Sequence, residues 1–190
     1  MKAQDFADNI ATDGIGGHID GRNDVPMIGV LTQFAMDLQV GDAAPDFSLP
    51  DQDGTPVSLS SLQGQRVVIY FYPKDDTPGC TKEACNFRDR WDQFKTHGIT
   101  VLGISKDAAA SHGKFIAKYS LPFTLLTDAE PCPVATAYGS YGLKKFMGKE
   151  YMGMMRHTFV VDPDGRIERI YTKVKAEAMA DQVLSDLGLA

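Results

Sequence analysis

Cysteine is scarce in this chain, and so is any excess of positive charge. The 190 residues include three cysteines, a number too small and odd for the disulfide framework of a secreted scaffold. Acidic residues outnumber basic ones by 25 to 19, for a net charge of −6, so neither nucleic acid nor an anionic membrane is expected as a partner. No apolar run has the ~18 residues of a membrane span. These absences predict a cytoplasmic protein, in which a cysteine is more often reactive than structural.

The chain divides into two parts near residue 40. Residues 1–26 are polar, rich in glycine and aspartate, and lack a hydrophobic period, which predicts a flexible arm. The aspartates of this arm also differ from the basic start of a secretory signal peptide. We therefore predict an N-terminal extension over residues 1–40 and one folded domain over residues 41–190, which is long enough to bury a core without disulfides or metals.

One stretch of the extension has a helical pattern. Residues 27–38 carry apolar side chains at spacings of four, three and four: Met27, Leu31, Phe34 and Leu38. This spacing predicts a short amphipathic helix that would dock on the domain or on a partner. In an alternative interpretation, the functional chain begins at Met27 or Met36 and the upstream residues are incidental.

Segments of strand and helix character alternate in the domain. Apolar, β-branched or aromatic runs predict buried strands at residues 66–72, 99–104 and 123–126. Helical patterns occur at residues 80–96, 108–119 and 175–187. Turn residues between short strands predict hairpins at residues 47–59 and 157–171. Since alternating strands and helices indicate parallel crossovers, the predicted fold class is α/β, with a central mixed β-sheet, flanking helices and a C-terminal β-hairpin plus helix.

The first long helix of the domain begins with a cysteine. Apolar residues spaced three, four and three apart define the buried face of this helix: Ala84, Phe87, Trp91 and Phe94. Cys80 falls on the same face, in the first turn, after Thr77 as a candidate cap and Pro78 as a suitable first residue. The sulfur is therefore expected near unpaired backbone N–H groups, which stabilise a thiolate. A small buried hydrophobe is the alternative for Cys80, but these local electrostatics favour a reactive thiol.

A second cysteine lies on the same helix. Cys85 follows Cys80 by five positions, which in an intact helix separates the Cα atoms by roughly 8.6 Å. A disulfide spans no more than about 7 Å. The two thiols could therefore pair only if the first turns of the helix unwind, which predicts a conformational switch.

The segment around these cysteines resembles a known family. The sequence FYPKDDTPGCTKEAC at residues 71–85 is similar to the peroxiredoxins, and among them to the peroxiredoxin Q or bacterioferritin comigratory protein branch. The resemblance extends over residues 40–187 and implies a thioredoxin-like fold. Four residues match the family's Pro-x-x-x-Thr-x-x-Cys pattern and its later arginine: Pro73, Thr77, Cys80 and Arg156.

The resemblance implies a role for each of these residues. Cys80 would be the peroxidatic thiol that a hydroperoxide oxidises to sulfenic acid, and Cys85 the resolving thiol of a Cys80–Cys85 disulfide. Arg156 would stabilise the thiolate and the peroxide oxygens, Thr77 would hydrogen-bond the peroxide, and Pro73 would shield the sulfur from water. Thioredoxin or a similar dithiol would reduce the disulfide, and the protein would be a monomer.

Other candidate residues stay outside the catalytic set. Cys132 is not part of the family pattern and is interpreted as a bystander thiol. Glu83 resembles a family position, but a solvated carboxylate favoured by the helix dipole explains it equally well. The cysteines and His157 lack zinc-ligand spacing, so no metal or cofactor is expected. A solvated position is predicted for three histidines: His18, His97 and His112.

Two functions from different classes remain open. The main hypothesis is an antioxidant thiol peroxidase that reduces hydrogen peroxide and organic hydroperoxides at the expense of thioredoxin. A general thiol–disulfide oxidoreductase is disfavoured because four residues, not two, separate the cysteines. The non-enzymatic alternative is a redox sensor or relay whose oxidised, unwound helix is recognised by a partner protein, with residues 27–38 as the docking element.

Overall fold

A five-stranded mixed sheet lies at the centre of the computed structural model, which describes residues 37–146 and 148–190. The predicted arm over residues 1–26 lies outside the described residues, as does most of the predicted amphipathic helix over 27–38. The extension over residues 1–40 therefore stays a prediction.

The described residues form strands, α-helices and one short 3-10 helix at Ser60–Leu62. The strands are β1 (Ser48–Pro50), β2 (Pro56–Ser58), β3 (Arg66–Phe71), β4 (Ile99–Ser105), β5 (Thr124–Thr127), β6 (Tyr141–Phe146), β7 (Lys149–Met154), β8 (His157–Val161) and β9 (Ile167–Tyr171). The α-helices are α1 (Pro78–Asp89), α2 (Trp91–Thr96), α3 (Ala109–Tyr119), α4 (Pro133–Ala137) and α5 (Met179–Asp186). Within this part of the chain, no helix has both the length and the apolar character needed to cross a membrane.

The central sheet has the strand order β5-β4-β3-β8-β9. β3 runs parallel to β4, and β4 to β5, whereas β8 runs antiparallel to both β3 and β9. Residues Val67–Phe71 of the middle strand are at most 1% exposed, as a continuous apolar run predicts for a strand covered on both faces. The mixed sheet and the C-terminal hairpin with its helix confirm the predicted fold class.

The two faces of β3 pack into separate cores. Tyr70 stacks on Phe87 of α1, with ring centroids 4.9 Å apart, in the core that α3 and α5 also cover. Phe71 points to the opposite face and meets Phe159 of β8 edge-on at 5.9 Å. The aromatic contact with Tyr70 fixes α1, which carries Cys80, on the sheet.

The structure differs from the predicted elements in four places. The helix predicted over 80–96 is divided at Arg90, whose φ of −106° and ψ of 6° are not helical. The last helix begins at Met179, and a turn occupies the residues before it. The β6–β7 hairpin and the short helix α4 were not predicted. Four consecutive residues of β7 are exposed, so this hairpin lacks the alternating pattern that identifies a half-buried strand.

The topology brings two separate segments together at one end of the sheet. Residues 72–77 connect the carboxyl end of β3 to the start of α1. Phe71 at this end pairs with His157, the first residue of β8. The residue before β8 is Arg156, so the sheet register places it beside the start of α1.

Candidate active site

Cys80 occupies the first turn of α1 and is buried. Its exposed fraction is 1%, and Pro78 is the first residue of the helix. This is the predicted position, on the apolar face with Ala84 and Phe87, which are also buried. The position presents the sulfur to the positive end of the helix dipole, at the carboxyl end of the middle strand.

Arg156 reaches the sulfur of Cys80. Its Nη2 donates a hydrogen bond to Cys80 Sγ at 3.2 Å. Its Nη1 donates to the carboxylate of Glu83, with which it forms an ion pair. Burial opposes the charge of Arg156, but Glu83 and Cys80 together raise the pKa of the guanidinium. A permanent cation is thereby held against the sulfur atom of Cys80.

Gly79 makes this approach possible. A Cβ atom at position 79 would lie 3.1 Å from Arg156 Nη2, closer than an ordinary van der Waals contact. The absence of a side chain thus leaves room for the guanidinium next to Cys80.

Glu83 belongs to the site, and the interpretation of this residue as a solvated carboxylate was wrong. Its side chain is fully buried, beneath Arg156. Burial raises the pKa of Glu83 to about 7, although Arg156 pulls in the opposite direction. The sequence held a signal for this position: Glu83 lies three residues after Cys80 and four before Phe87, the spacing of the buried face. That spacing should have outweighed the usual exposure of glutamate.

We expect Glu83→Gln to remove part of the pH dependence of stability. The pKa of Glu83 is about 7 in the folded protein against an ordinary value of 4.5, so between these pH values only the folded state keeps the proton. Wild-type stability from this group is present at low pH and is lost as the pH rises towards 7. Glutamine does not titrate, so the stability of the variant relative to wild type should increase through this window. Urea unfolding of both proteins across the window measures this, and parallel stability curves would contradict it.

Thr77 and Pro73 lie in the segment that leads into α1, and both are half-buried. Thr77 is at the N-cap position, but its hydroxyl donates to the backbone oxygen of Lys74 at 3.1 Å and makes no capping hydrogen bond. The predicted capping role of the Thr77 side chain is therefore wrong. The backbone oxygen of Thr77 does accept a hydrogen bond from the N–H of Thr81 at 2.8 Å. Among the described residues, no hydrogen bond joins Thr77 to Cys80.

Cys85 lies further along α1 and is half-buried, and its thiol is free, as is that of Cys80. The helix is continuous from Pro78 to Asp89. The intact-helix separation of roughly 8.6 Å therefore applies, and a Cys80–Cys85 disulfide requires the first turns of α1 to unwind.

Cys132 has a thiol of raised pKa. It is fully buried, and burial raises the pKa of its thiol to about 11. A thiol with this pKa is protonated at neutral pH and unreactive, which supports its interpretation as a bystander.

The predictions for the histidines have separate outcomes. His97 is exposed, as predicted, and His18 lies outside the described residues. The prediction for His112 was wrong, because this side chain is fully buried in α3 and hydrogen-bonded to Asp75.

Cys80 is a buried thiol at the start of a helix, and Arg156 hydrogen-bonds to it at one end of a thioredoxin-like sheet. These features define the class of thiol-dependent oxidoreductases. Comparison with known proteins specifies the class further. Residues 40–170 match the AhpC/TSA family. The chain is 49% identical over 148 residues to peroxiredoxin Bcp of Escherichia coli, covering 78% of this chain and 94% of the relative. It is 45% identical over 155 residues to peroxiredoxin Bcp of Bacillus subtilis, covering 80% and 98%.

Solved structures agree with these relatives. The fold matches peroxiredoxin Q of Xanthomonas campestris with a TM-score of 0.73 and 36% identity, covering 80% of this chain and 96% of that one. Structures of the X. campestris bacterioferritin comigratory protein, matched to the same extent, address its alkyl peroxide reduction activity. The chain therefore belongs to the AhpC/TSA family and is a peroxiredoxin of the Bcp/PrxQ subfamily. The predicted family, thioredoxin-like fold and peroxidase class are confirmed, while the roles of individual residues stay predictions.

Proposed function

We propose that this peroxiredoxin reduces hydrogen peroxide and organic hydroperoxides through a sulfenic acid on Cys80. The observation that carries the proposal is the hydrogen bond from Arg156 Nη2 to Cys80 Sγ at 3.2 Å, at a buried position in the first turn of a helix. The alkyl peroxide reduction described for the X. campestris protein supports the inclusion of organic hydroperoxides.

The first chemical step is an in-line displacement on oxygen. The Cys80 thiolate attacks the terminal oxygen of the hydroperoxide, so that an S–O bond forms and the O–O bond breaks. The electron pair leaves on the second oxygen, which takes up a proton and departs as an alcohol or as water. Arg156 stabilises the negative charge as it moves from sulfur to the leaving oxygen. Thr77 offers a hydroxyl to the peroxide, and Pro73, which has no N–H, limits the access of water to the sulfur.

The second step resolves the sulfenic acid. The thiol of Cys85 attacks Cys80 sulfur, an S–S bond forms, the S–O bond breaks and water leaves. Because α1 is continuous through both residues, its first turns unwind before the sulfur atoms meet. An external dithiol, which we propose to be thioredoxin in the cytoplasm, then reduces the disulfide of the monomeric enzyme.

A Cys85→Ser variant tests the resolving step. After one equivalent of peroxide, wild-type protein should contain a Cys80–Cys85 disulfide in peptide mass mapping. The Cys85→Ser protein should instead stop at the sulfenic acid, trapped by a 1,3-dione reagent, because no second thiol reaches Cys80. Cys132→Ser is the matched control and should form the disulfide normally. A wild-type protein without this disulfide, or a Cys85→Ser protein that turns over with thioredoxin at the wild-type rate, would overturn the assignment.

A steady-state turnover assay distinguishes the proposed peroxidase from the alternative redox relay. A peroxidase should consume peroxide continuously with catalytic thioredoxin, its reductase and NADPH. A relay should cycle slowly with thioredoxin and accumulate mixed disulfides with its partner protein instead.

A further inference from the structure

A buried carboxylate ties the loop before Cys80 to helix α3. Asp75 lies within the 72–77 connection and is 7% exposed. It accepts hydrogen bonds from the hydroxyl of Tyr72 at 2.7 Å and from that of Ser111 at 2.7 Å. His112 Nδ1 lies 2.9 Å from the second carboxylate oxygen. We call these four residues the Asp75 latch.

The hydrogen bonds of the Asp75 latch keep the carboxylate of Asp75 ionised. Burial alone would raise the pKa of Asp75, but hydrogen bonds from His112, Ser111 and Tyr72 outweigh it and lower the pKa. The carboxylate is therefore ionised and only accepts, so Nδ1 of His112 carries the proton of their hydrogen bond. Hydrogen bonds to a buried charge are stronger than neutral ones.

His112 keeps its hydrogen bond to Asp75 although burial of its Nε2 atom is energetically unfavourable. Its side chain is fully buried, and its Nε2 atom has no hydrogen-bond partner among the described residues. An unpaired buried nitrogen is unfavourable, and an apolar side chain would avoid it. Among the described residues, the side-chain hydrogen bonds of His112 all run through Nδ1 to Asp75 and Tyr72 of the 72–77 connection.

Weaker contacts hold the outer side of the same loop. Asp76, with a φ of 54°, accepts from Lys118 Nζ at 2.6 Å and from the hydroxyl of Tyr119 at 2.7 Å. These groups are partly exposed, and exposed ion pairs contribute little. The buried latch is thus the stronger of the two connections between the loop and α3.

We propose that His112, acting through Asp75, is a positioning residue that holds the 72–77 connection and the first turn of α1. The loop carries Pro73 and Thr77, and the backbone oxygen of Thr77 accepts the first hydrogen bond of the helix, from Thr81. A closed latch keeps these groups in place for the attack on peroxide. An open latch releases the turn that unwinds for the disulfide, a part of the inference that rests on the proposed resolving step.

The latch therefore affects the two steps in opposite directions. His112→Leu keeps the bulk of the side chain and removes the hydrogen bond to Asp75. Reaction of Cys80 with peroxide should slow by about tenfold, the scale of one hydrogen bond to a charged group. Disulfide formation should accelerate, because opening the first turn no longer breaks that bond. His112→Asn, which carries an N–H donor near the position of Nδ1, should return both rates towards wild type.

Stopped-flow fluorescence of Trp91, the only tryptophan of the sequence, provides the test. The first phase should depend on hydrogen peroxide concentration and report sulfenic acid formation, and the second should be independent of it and report the disulfide. Ile167→Ala is the control for general destabilisation, because Ile167 is buried in the core on the opposite face of the sheet. Equal slowing of both phases in His112→Leu, or rates equal to those of the control, would overturn the proposal.

Amide hydrogen exchange tests whether the Asp75 latch stabilises the first turn of α1, and this test does not depend on the role of Cys85. Residues 77–84 should exchange faster in His112→Leu than in wild type or Ile167→Ala, and unchanged protection would overturn the proposal. A wild-type protein that lacks the second fluorescence phase would refute the resolving role of Cys85, whereas the exchange result would still decide on the latch.

Discussion

Cys80→Ser should reduce peroxidase activity to the rate without enzyme. A serine hydroxyl is not ionised near neutral pH, so the guanidinium of Arg156, 3.2 Å from the sulfur in wild type, would have no anion to activate. No sulfenic acid could form, and peroxide would no longer drive the consumption of reductant. The expected effect is the largest that any single substitution in this site can have, because the variant lacks the atom that is oxidised. Stopped-flow mixing with hydrogen peroxide and the coupled thioredoxin assay both measure it.

The matched control is Cys132→Ser. It makes the same chemical change at a thiol that is fully buried and whose pKa is raised to about 11. Its activity per folded molecule should equal that of wild type. Activity retained in Cys80→Ser, or lost in a folded Cys132→Ser protein, would mean that the wrong cysteine has been assigned.

Arg156→Met should lower the second-order rate constant for peroxide by about 10²–10³-fold. This is the range observed when one preorganised donor to a developing negative charge is removed. Methionine has similar length but neither charge nor N–H donors. Arg156→Lys should recover only part of the loss, because an ammonium group keeps the charge and lacks the planar fork that serves Cys80 and Glu83 together. Competition kinetics against a reference peroxidase measures the rate constants.

A double variant separates catalysis from stability at this position. Arg156→Met removes the cation that lowers the pKa of the buried Glu83. Near neutral pH the folded variant must then take up a proton at Glu83 or keep an unpaired buried charge, and either outcome lowers its stability. Adding Glu83→Gln removes that charge, so the double variant should regain stability in urea unfolding while the rate with peroxide stays low. If the double variant recovers the wild-type rate, Arg156 acts only by neutralising Glu83.

Local pattern predicted much of the fold and the centre of the site. The uninterrupted apolar run of β3 identified the middle strand, and the spacing of Ala84, Phe87 and Phe94 was enough to predict that Cys80 lies on the buried face of its helix. These signals are strong because they follow from burial alone. The β6–β7 hairpin gave no such signal, because its second strand is mostly exposed.

The remaining site residues depend on contacts between distant segments. The spacing of α1 places Glu83 on the buried face, but its ion-pair partner Arg156 lies 73 positions further along the chain, and no local pattern identifies it. His112 was misjudged for a similar reason, since Asp75 lies 37 positions away. Thr77 was placed at the correct helix position, but its hydroxyl bonds to Lys74, a choice among local partners that spacing does not specify. Polar partners are therefore where sequence pattern is least informative.

The uninterrupted run of α1 through Cys80 and Cys85 has a consequence for engineering. If these two thiols form the disulfide, the first turns of α1 unfold and refold in every catalytic cycle. Part of the activation enthalpy of disulfide formation is then the enthalpy of unfolding this helical segment. Substitutions that strengthen the first turn, of the kind often used for thermostabilisation, would then lengthen the lifetime of the sulfenic acid. Excess peroxide would have more time to oxidise that intermediate to the sulfinic acid. Robustness to heat and resistance to oxidant would therefore compete at the same few residues.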